Sequence, residues 1–178
     1  YKFLHDRVQQ AAYALIDESH KKVVHLQIGR NILGKTLPER LSDRLFEIVD
    51  HLNHGIELVA DQPERNEIAR LNLIAGQKAK AVIAYSMAQK YLDTARVWLA
   101  ASSWQTNYDL TLDLYLETSE VEYLCGNFEQ VESWVAIVLQ EARTVLDTVK
   151  VYEVKIQTDI AQNHLLKAIN TGLQVLQQ

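Results

Sequence analysis

The chain has 178 residues, 48% of them apolar and 23% charged, and a formal net charge of −5. That length buries a sizeable core, as one domain or as a stack of repeats, while six Gly and two Pro are too few for a fold built on many tight turns. The acidic balance leaves no basic surplus for nucleic-acid phosphates, a single Cys, Cys125, excludes an internal disulfide and fits a reducing, cytoplasmic setting, and no apolar run approaches the ~20 residues that span a bilayer.

Leu, Ala, Glu, Gln, Lys and Arg dominate, and all favour helix. The segment from Val8 to Ile16 is helical by periodicity, with Val8, Ala11, Ala12 and Leu15 on one face. A second helix is predicted from His20 to Leu33, with Val24, Ile28 and Ile32 in line and Gly34 placed to end it. Thr36-Leu37-Pro38-Glu39 reads as a capped restart. Leu41, Leu45, Ile48, Val49 and Leu52 form the stripe of the third helix. His54-Gly55 breaks it, and a short apolar run, Ile56 to Val59, follows. Asp61-Gln62-Pro63-Glu64 starts the next helix and marks the expected boundary between N-terminal helices (1–60) and a helical-repeat part (61–178).

Beyond it the pattern predicts helices at 64–82, 84–101, 108–125, 128–147, 150–162 and 164–177. These pair. Gly76, Ala88 and Ala95 match the small-residue positions of a tetratricopeptide-type helix pair, with Tyr85, Ala88, Leu92, Ala95 and Leu99 as the seam. Gly126-Asn127-Phe128-Glu129-Gln130-Val131 resembles the turn of such repeats, with Val131 and Val138 in the small-residue positions. Asn163, Leu165, Ala168 and Val175 mark a third, fainter pair. Ala88, Val131 and Ala168 do not keep the usual period, and Ser102–Asn107 reads as an insertion. The fold class is therefore all-α: antiparallel helix pairs stacked as a tetratricopeptide-like right-handed superhelix, each pair stabilised by covering its neighbour's apolar face.

Chemistry is sparse. No Gly-rich phosphate loop, metalloprotease helix or nucleophile elbow occurs. His51 and His54 share a helix face beside Asp50, but a zinc site needs further ligands, and none is evident nearby; partly exposed helix-end histidines are the plainer reading. Glu117 with Glu120, and Glu129 with Glu132, fit solvated helix faces at least as well as a catalytic dyad. Trp98, Trp104 and Trp134 lie near inter-helix joints, where packing is their default role, and an exposed Trp104 could anchor a partner. Cys125 reads as a small buried hydrophobe. His5-Asp6 lacks the Asn-or-Thr-Pro that follows the phosphoacceptor of dimerising kinase helices.

The run Phe3-Leu4-His5-Asp6-Arg7-Val8-Gln9-Gln10-Ala11-Ala12-Tyr13 resembles a region of the STAND-type signalling ATPases, especially multidomain bacterial sensors that combine a Ser/Thr kinase, an AAA-like ATPase, a helical region, a GAF domain and often a histidine kinase. The resemblance continues through His25–Arg30, Leu45–Gly55 and Leu71–Ala81 and covers nearly the whole chain. In related proteins a hydrophobic-His-Asp motif ends the winged-helix part, and its His senses bound ADP phosphates. Leu4, His5 and Asp6 match that motif, so the resemblance implies that His5 and Asp6 are cofactor-binding residues acting with an ATPase domain that this chain does not contain. The phosphate loop and Mg²⁺-coordinating acid of the family are not in these residues. No cofactor is expected for the chain itself, whereas ATP or ADP and Mg²⁺ are implied for the parent.

The chain is thus expected to be a non-catalytic, cytoplasmic regulatory or protein-interaction region of a multidomain signalling ATPase or kinase. It would couple nucleotide state to output, with proteins or neighbouring domains of the same chain as partners, and neither nucleic acid nor membrane. The alternative is a free-standing helical-repeat adaptor. Partner, signal and oligomeric state are not written in the residues.

Overall fold

The computed structural model describes residues 13–176. Nine α-helices lie among the described residues, with two short 3₁₀ turns and no strand. The chain divides into two compact units, Tyr1–Glu64 and Arg65–Gln178.

In the first unit, α1 (Glu18–Lys35) begins where the Asp17 carboxylate accepts a hydrogen bond from the Ser19 amide at 3.0 Å. Its buried residues are Leu26 and Gly29, not the expected line of Val24 and Ile28, which are exposed. The reason lies in its partner, α2 (Leu41–Asn53), on whose buried stripe Leu45, Ile48, Val49 and Leu52 fall as predicted. A Cβ added at Gly29 would lie 2.8 Å from the Leu52 side chain, and one at Gly55 would lie 2.8 Å from Leu26. Two glycines therefore let the backbones approach, and close approach outranks side-chain bulk in choosing the buried face.

Gly34 does not end α1, which runs one residue further; Thr36 is its C-cap, and the Thr36 hydroxyl donates back to the Ile32 carbonyl. A capped restart at Thr36 is therefore ruled out. A 3₁₀ turn, Pro38–Arg40, intervenes, and α2 starts without a side-chain cap. A second 3₁₀ turn, Ile56–Leu58, follows.

The second unit is a series of helical hairpins. The first joins α3 (Gln62–Ala81) to α4 (Tyr85–Trp98); Asp61 caps α3 by accepting from the Glu64 amide at 3.0 Å, as its sequence signal predicts. A one-turn helix, α5 (Ser103–Thr106), occupies the expected insertion. The second hairpin joins α6 (Tyr108–Cys125) to α7 (Phe128–Glu141), and the third joins α8 (Val145–Ala161) to α9 (Leu165–Leu176). The expected helix 128–147 ends early because a capping box intervenes. Thr144 accepts from the Asp147 amide while Asp147 accepts from the Thr144 amide, satisfying donors that a continuous helix would not need satisfied.

All three hairpins turn the same way. Ile83, Gly126 and Asn163 take left-handed backbone conformations, φ 64°, 79° and 61°. Each is followed by an amide that bonds five residues back: Ala84 to Ala79 at 2.9 Å, Asn127 to Glu122 at 2.9 Å, and His164 to Asp159 at 2.7 Å. This is the Schellman arrangement, which satisfies carbonyls that a helix end otherwise leaves bare. Five residues past each left-handed residue stand Ala88, Val131 and Ala168, all buried. The spacing read from the sequence thus marks a repeated hairpin.

Within the first hairpin a Cβ on Gly76 would meet Leu92 at 2.8 Å, so the pair is closed by a missing side chain. α6 packs on α4, and α8 packs on both α6 and α7. The core of the latter junction is Leu112, Val131, Val135 and Val138 with Val151 and Val154.

Candidate functional site

His5 and Asp6 lie outside the described residues, so the expected nucleotide-sensing pair has no geometry here. His51 and His54 do acquire a partner that the sequence did not place. The close approach of α1 and α2 sets His25, the neighbour of buried Leu26, against both. The His25 and His51 Nδ1 atoms are 2.8 Å apart, and the Tyr13 hydroxyl is 2.7 Å from His25 Nε2. The His25 ring lies 4.9 Å from that of His51 and 4.3 Å from that of His54, and Lys21 sits over Tyr13 at 4.8 Å.

A neutral network satisfies these contacts: Tyr13 O–H donates to His25 Nε2, and His25 Nδ1–H donates to His51 Nδ1. Burial, then His54 and His51, hold the His25 pKa below its ordinary value, because a charged ring would lose water and face two more imidazoles. Among the described residues no group of three or more His, Cys, Asp or Glu side chains is set to hold a metal ion. What the cluster can do is respond to protons: a second proton on His25 takes Nε2, where it ends the hydrogen bond that the Tyr13 hydroxyl donates there.

In the second unit the residues with most electrostatic consequence are Glu117 and Glu120 on α6. The solvated-face reading does not hold for Glu117, whose side chain is 5% exposed. Lys80 of the first hairpin reaches Glu117 at 2.5 Å and Glu120 at 3.0 Å, and Lys150 of the third reaches Glu120 at 2.9 Å and Glu117 at 3.6 Å. Burial opposes charge on Lys80, but the two carboxylates outweigh it and raise its pKa. Burial likewise opposes charge on Glu120, and Lys150 and Lys80 outweigh that, leaving its pKa lowered. Two cations and two anions compensate each other, so the group ties three hairpins together, and the lowered pKa of Glu120 disfavours a proton-carrying role for that carboxylate. Asp113 stands nearby with its pKa raised by partial burial and by Asp109.

Of the other sequence candidates, the glutamates face solvent and the tryptophans pack. Glu132 pairs with Lys155 at 2.8 Å, while Glu129 is exposed at the surface. Trp98 is fully buried, with the Arg65 guanidinium 5.3 Å from its ring. Trp104 is not the exposed anchor considered above; it packs on the α6–α8 core, 5.0 Å from Tyr115. Arg96 covers Trp134 at 4.2 Å. The Cys125 thiol is half-buried and its pKa is pushed up by burial and by Glu122, which disfavours the reactive thiolate.

No protein-family model matches the chain, and no solved structure matches it. It is similar to the hybrid signal transduction histidine kinase G of Dictyostelium discoideum, 32% identical over 167 residues, which cover 80% of this chain and 5% of that protein. The chain has a signal-transduction kinase as a relative. It spans only 5% of that relative's length, and the similarity therefore concerns a small part of a much longer protein. No helix among the described residues is long and apolar enough to cross a membrane.

Proposed function

We propose that this chain is a non-catalytic regulatory region of a multidomain signalling kinase of the STAND ATPase type, in which a tetratricopeptide-like helical stack relays the state of a nucleotide-binding domain to an output domain or protein partner. The observation that carries this reading is the match to a hybrid histidine kinase across 80% of the chain. The residues fit a relay better than a reaction centre. Buried Glu117 and half-buried Glu120 of α6 are matched by lysines from the flanking hairpins, and such a cross-linked stack transmits a displacement instead of absorbing it. His5 and Asp6 would sense ADP phosphates only together with an ATPase domain, since imidazole can donate to or carry charge beside a diphosphate; ATP, ADP and Mg²⁺ belong to that domain.

The test uses the longer protein containing the ATPase domain. His5→Ala should weaken ADP binding and change kinase output together, read by calorimetry and by phosphotransfer. Unchanged ADP affinity with unchanged output would remove the sensing role. Incubation of the 178-residue chain with ATP should give no turnover, and reproducible hydrolysis would overturn the non-catalytic reading.

A further inference from the structure

The third hairpin carries an open apolar groove of about 710 Å³, lined from α8 and α9 by residues that include Val149, Tyr152, Ile156, Leu173 and Leu176. Its rim is unusually apolar for a surface: Ile169, Leu173 and Leu176 are 58%, 53% and 85% exposed. The repeated turn says what such a surface is for.

Counting from the left-handed residue of each hairpin puts the second and third in register. In the second hairpin, Leu112, Tyr115, Leu116, Val135, Val138 and Leu139 belong, together with Val131 and Tyr123, to the apolar cluster that takes in Val151 and Val154 of α8. The residues at the same six positions of the third hairpin are Val149, Tyr152, Glu153, Gly172, Val175 and Leu176, and all six line the groove. The junction before it uses the same register. Gln77 and Gln89 of the first hairpin bond to Glu117 and Glu122 of α6; their counterparts in the second hairpin, Glu120 and Glu132, bond to Lys150 and Lys155 of α8; their counterparts in the third, Gln157 and Ile169, line the groove. On the side of the earlier hairpin, two successive junctions thus use one set of positions, and the third set stands open.

We infer that the groove is the seat for the first helix of a further hairpin stacked in the same series: an amphipathic helix that presents two apolar residues three apart. The apolar pair corresponds to Val151 and Val154; the acidic residues that meet Lys150 and Lys155 are replaced here by Gln157 and Ile169, so a base is expected only opposite Glu153. Glu153 replaces an apolar residue of the second hairpin at the groove's edge and favours such a base. Gly172 replaces Val135 and leaves room above the floor, since a Cβ there would find its nearest neighbour, Ile156 Cδ1, only at 3.9 Å. This inference rests on the hairpin register and not on the signalling role.

The probe is a helical peptide of residues 144–162 of this chain, which carries that apolar pair and those lysines, titrated against the 178-residue protein by fluorescence anisotropy. Saturable binding is expected. It should weaken by at least about tenfold when the peptide carries Val151→Asp and Val154→Asp, and equally when the protein carries Leu173→Glu and Leu176→Glu, both at exposed positions. Gly172→Phe, which fills the groove without adding charge, should do the same while circular dichroism stays unchanged. Absence of saturable binding, or equal binding by the groove variants, overturns the inference. So does sedimentation showing a dimer of the protein that Leu173→Glu and Leu176→Glu dissolve, because the seat would then belong to a second copy.

Discussion

Ile83 holds a left-handed conformation, φ 64°, with its side chain 73% exposed. A β-branched residue there is strained and gains little from packing, whereas Gly126 serves the same turn without a Cβ to strain. Ile83→Gly should therefore stabilise the chain by about 1 kcal/mol, read as a higher urea midpoint; a lower midpoint would mean that Ile83 makes a contact that the strain supports. At the histidine cluster the sign follows from the lowered pKa of His25. The unfolded state takes up the proton first, so stability present above about pH 6.5 is lost as pH falls through the folded value. Urea unfolding from about pH 7 to pH 5 should show this decline, and His25→Gln should flatten it. Of this cluster only His51 and His54 were legible in the sequence, because their spacing is local; His25 reaches them from another helix, and no periodicity records that meeting.

Helix-to-helix approach is governed by particular glycines. On α1, Gly29 faces Leu52 with no room for a Cβ, while a Cβ on Gly34 meets nothing within 4 Å. Gly29→Ala should destabilise by about 1–3 kcal/mol through overpacking, and Gly34→Ala should stabilise by up to about 1 kcal/mol through helix propensity. Opposite shifts in thermal midpoint are the expected reading, and equal shifts would show that α1 and α2 do not close on Gly29. Most element types and several starts were legible: the α2 stripe, the Asp61 start of α3, and the Gly126 turn each rest on local periodicity or capping. The buried face of α1 was misread because Val24 and Ile28 outweigh Leu26 and Gly29 in hydrophobicity, while the partner helix selects for closeness. The end of α7 was missed because the Thr144–Asp147 capping box outranks helix propensities that continue through it.

Across the second unit, Lys80 and Lys150 hold Glu117 and Glu120 from both sides. Removing one lysine leaves buried charge incompletely matched, so Lys80→Met should cost about 2–3 kcal/mol by urea unfolding. Adding Glu117→Leu should recover part of that loss, and a loss for the double variant equal to the sum of the singles would mean that the pair is not coupled. The cost is set by desolvation: Glu117 is nearly inaccessible, and its neutralising charge comes from a helix far away in sequence.

Taken alone, the amino-acid order was enough for an all-helical chain, for helix pairs at Gly76, Gly126 and Asn163, and for the resemblance to a signalling protein, because all three depend on nearest neighbours in sequence. The tertiary structure decided which faces are buried, that His25 joins His51 and His54 from another helix, that Glu117 is a buried tie instead of a solvated acid, and that the last hairpin carries an open apolar groove. These depend on the approach of helices distant in sequence, where a missing Cβ or one matched charge outweighs the periodic pattern that formed each helix.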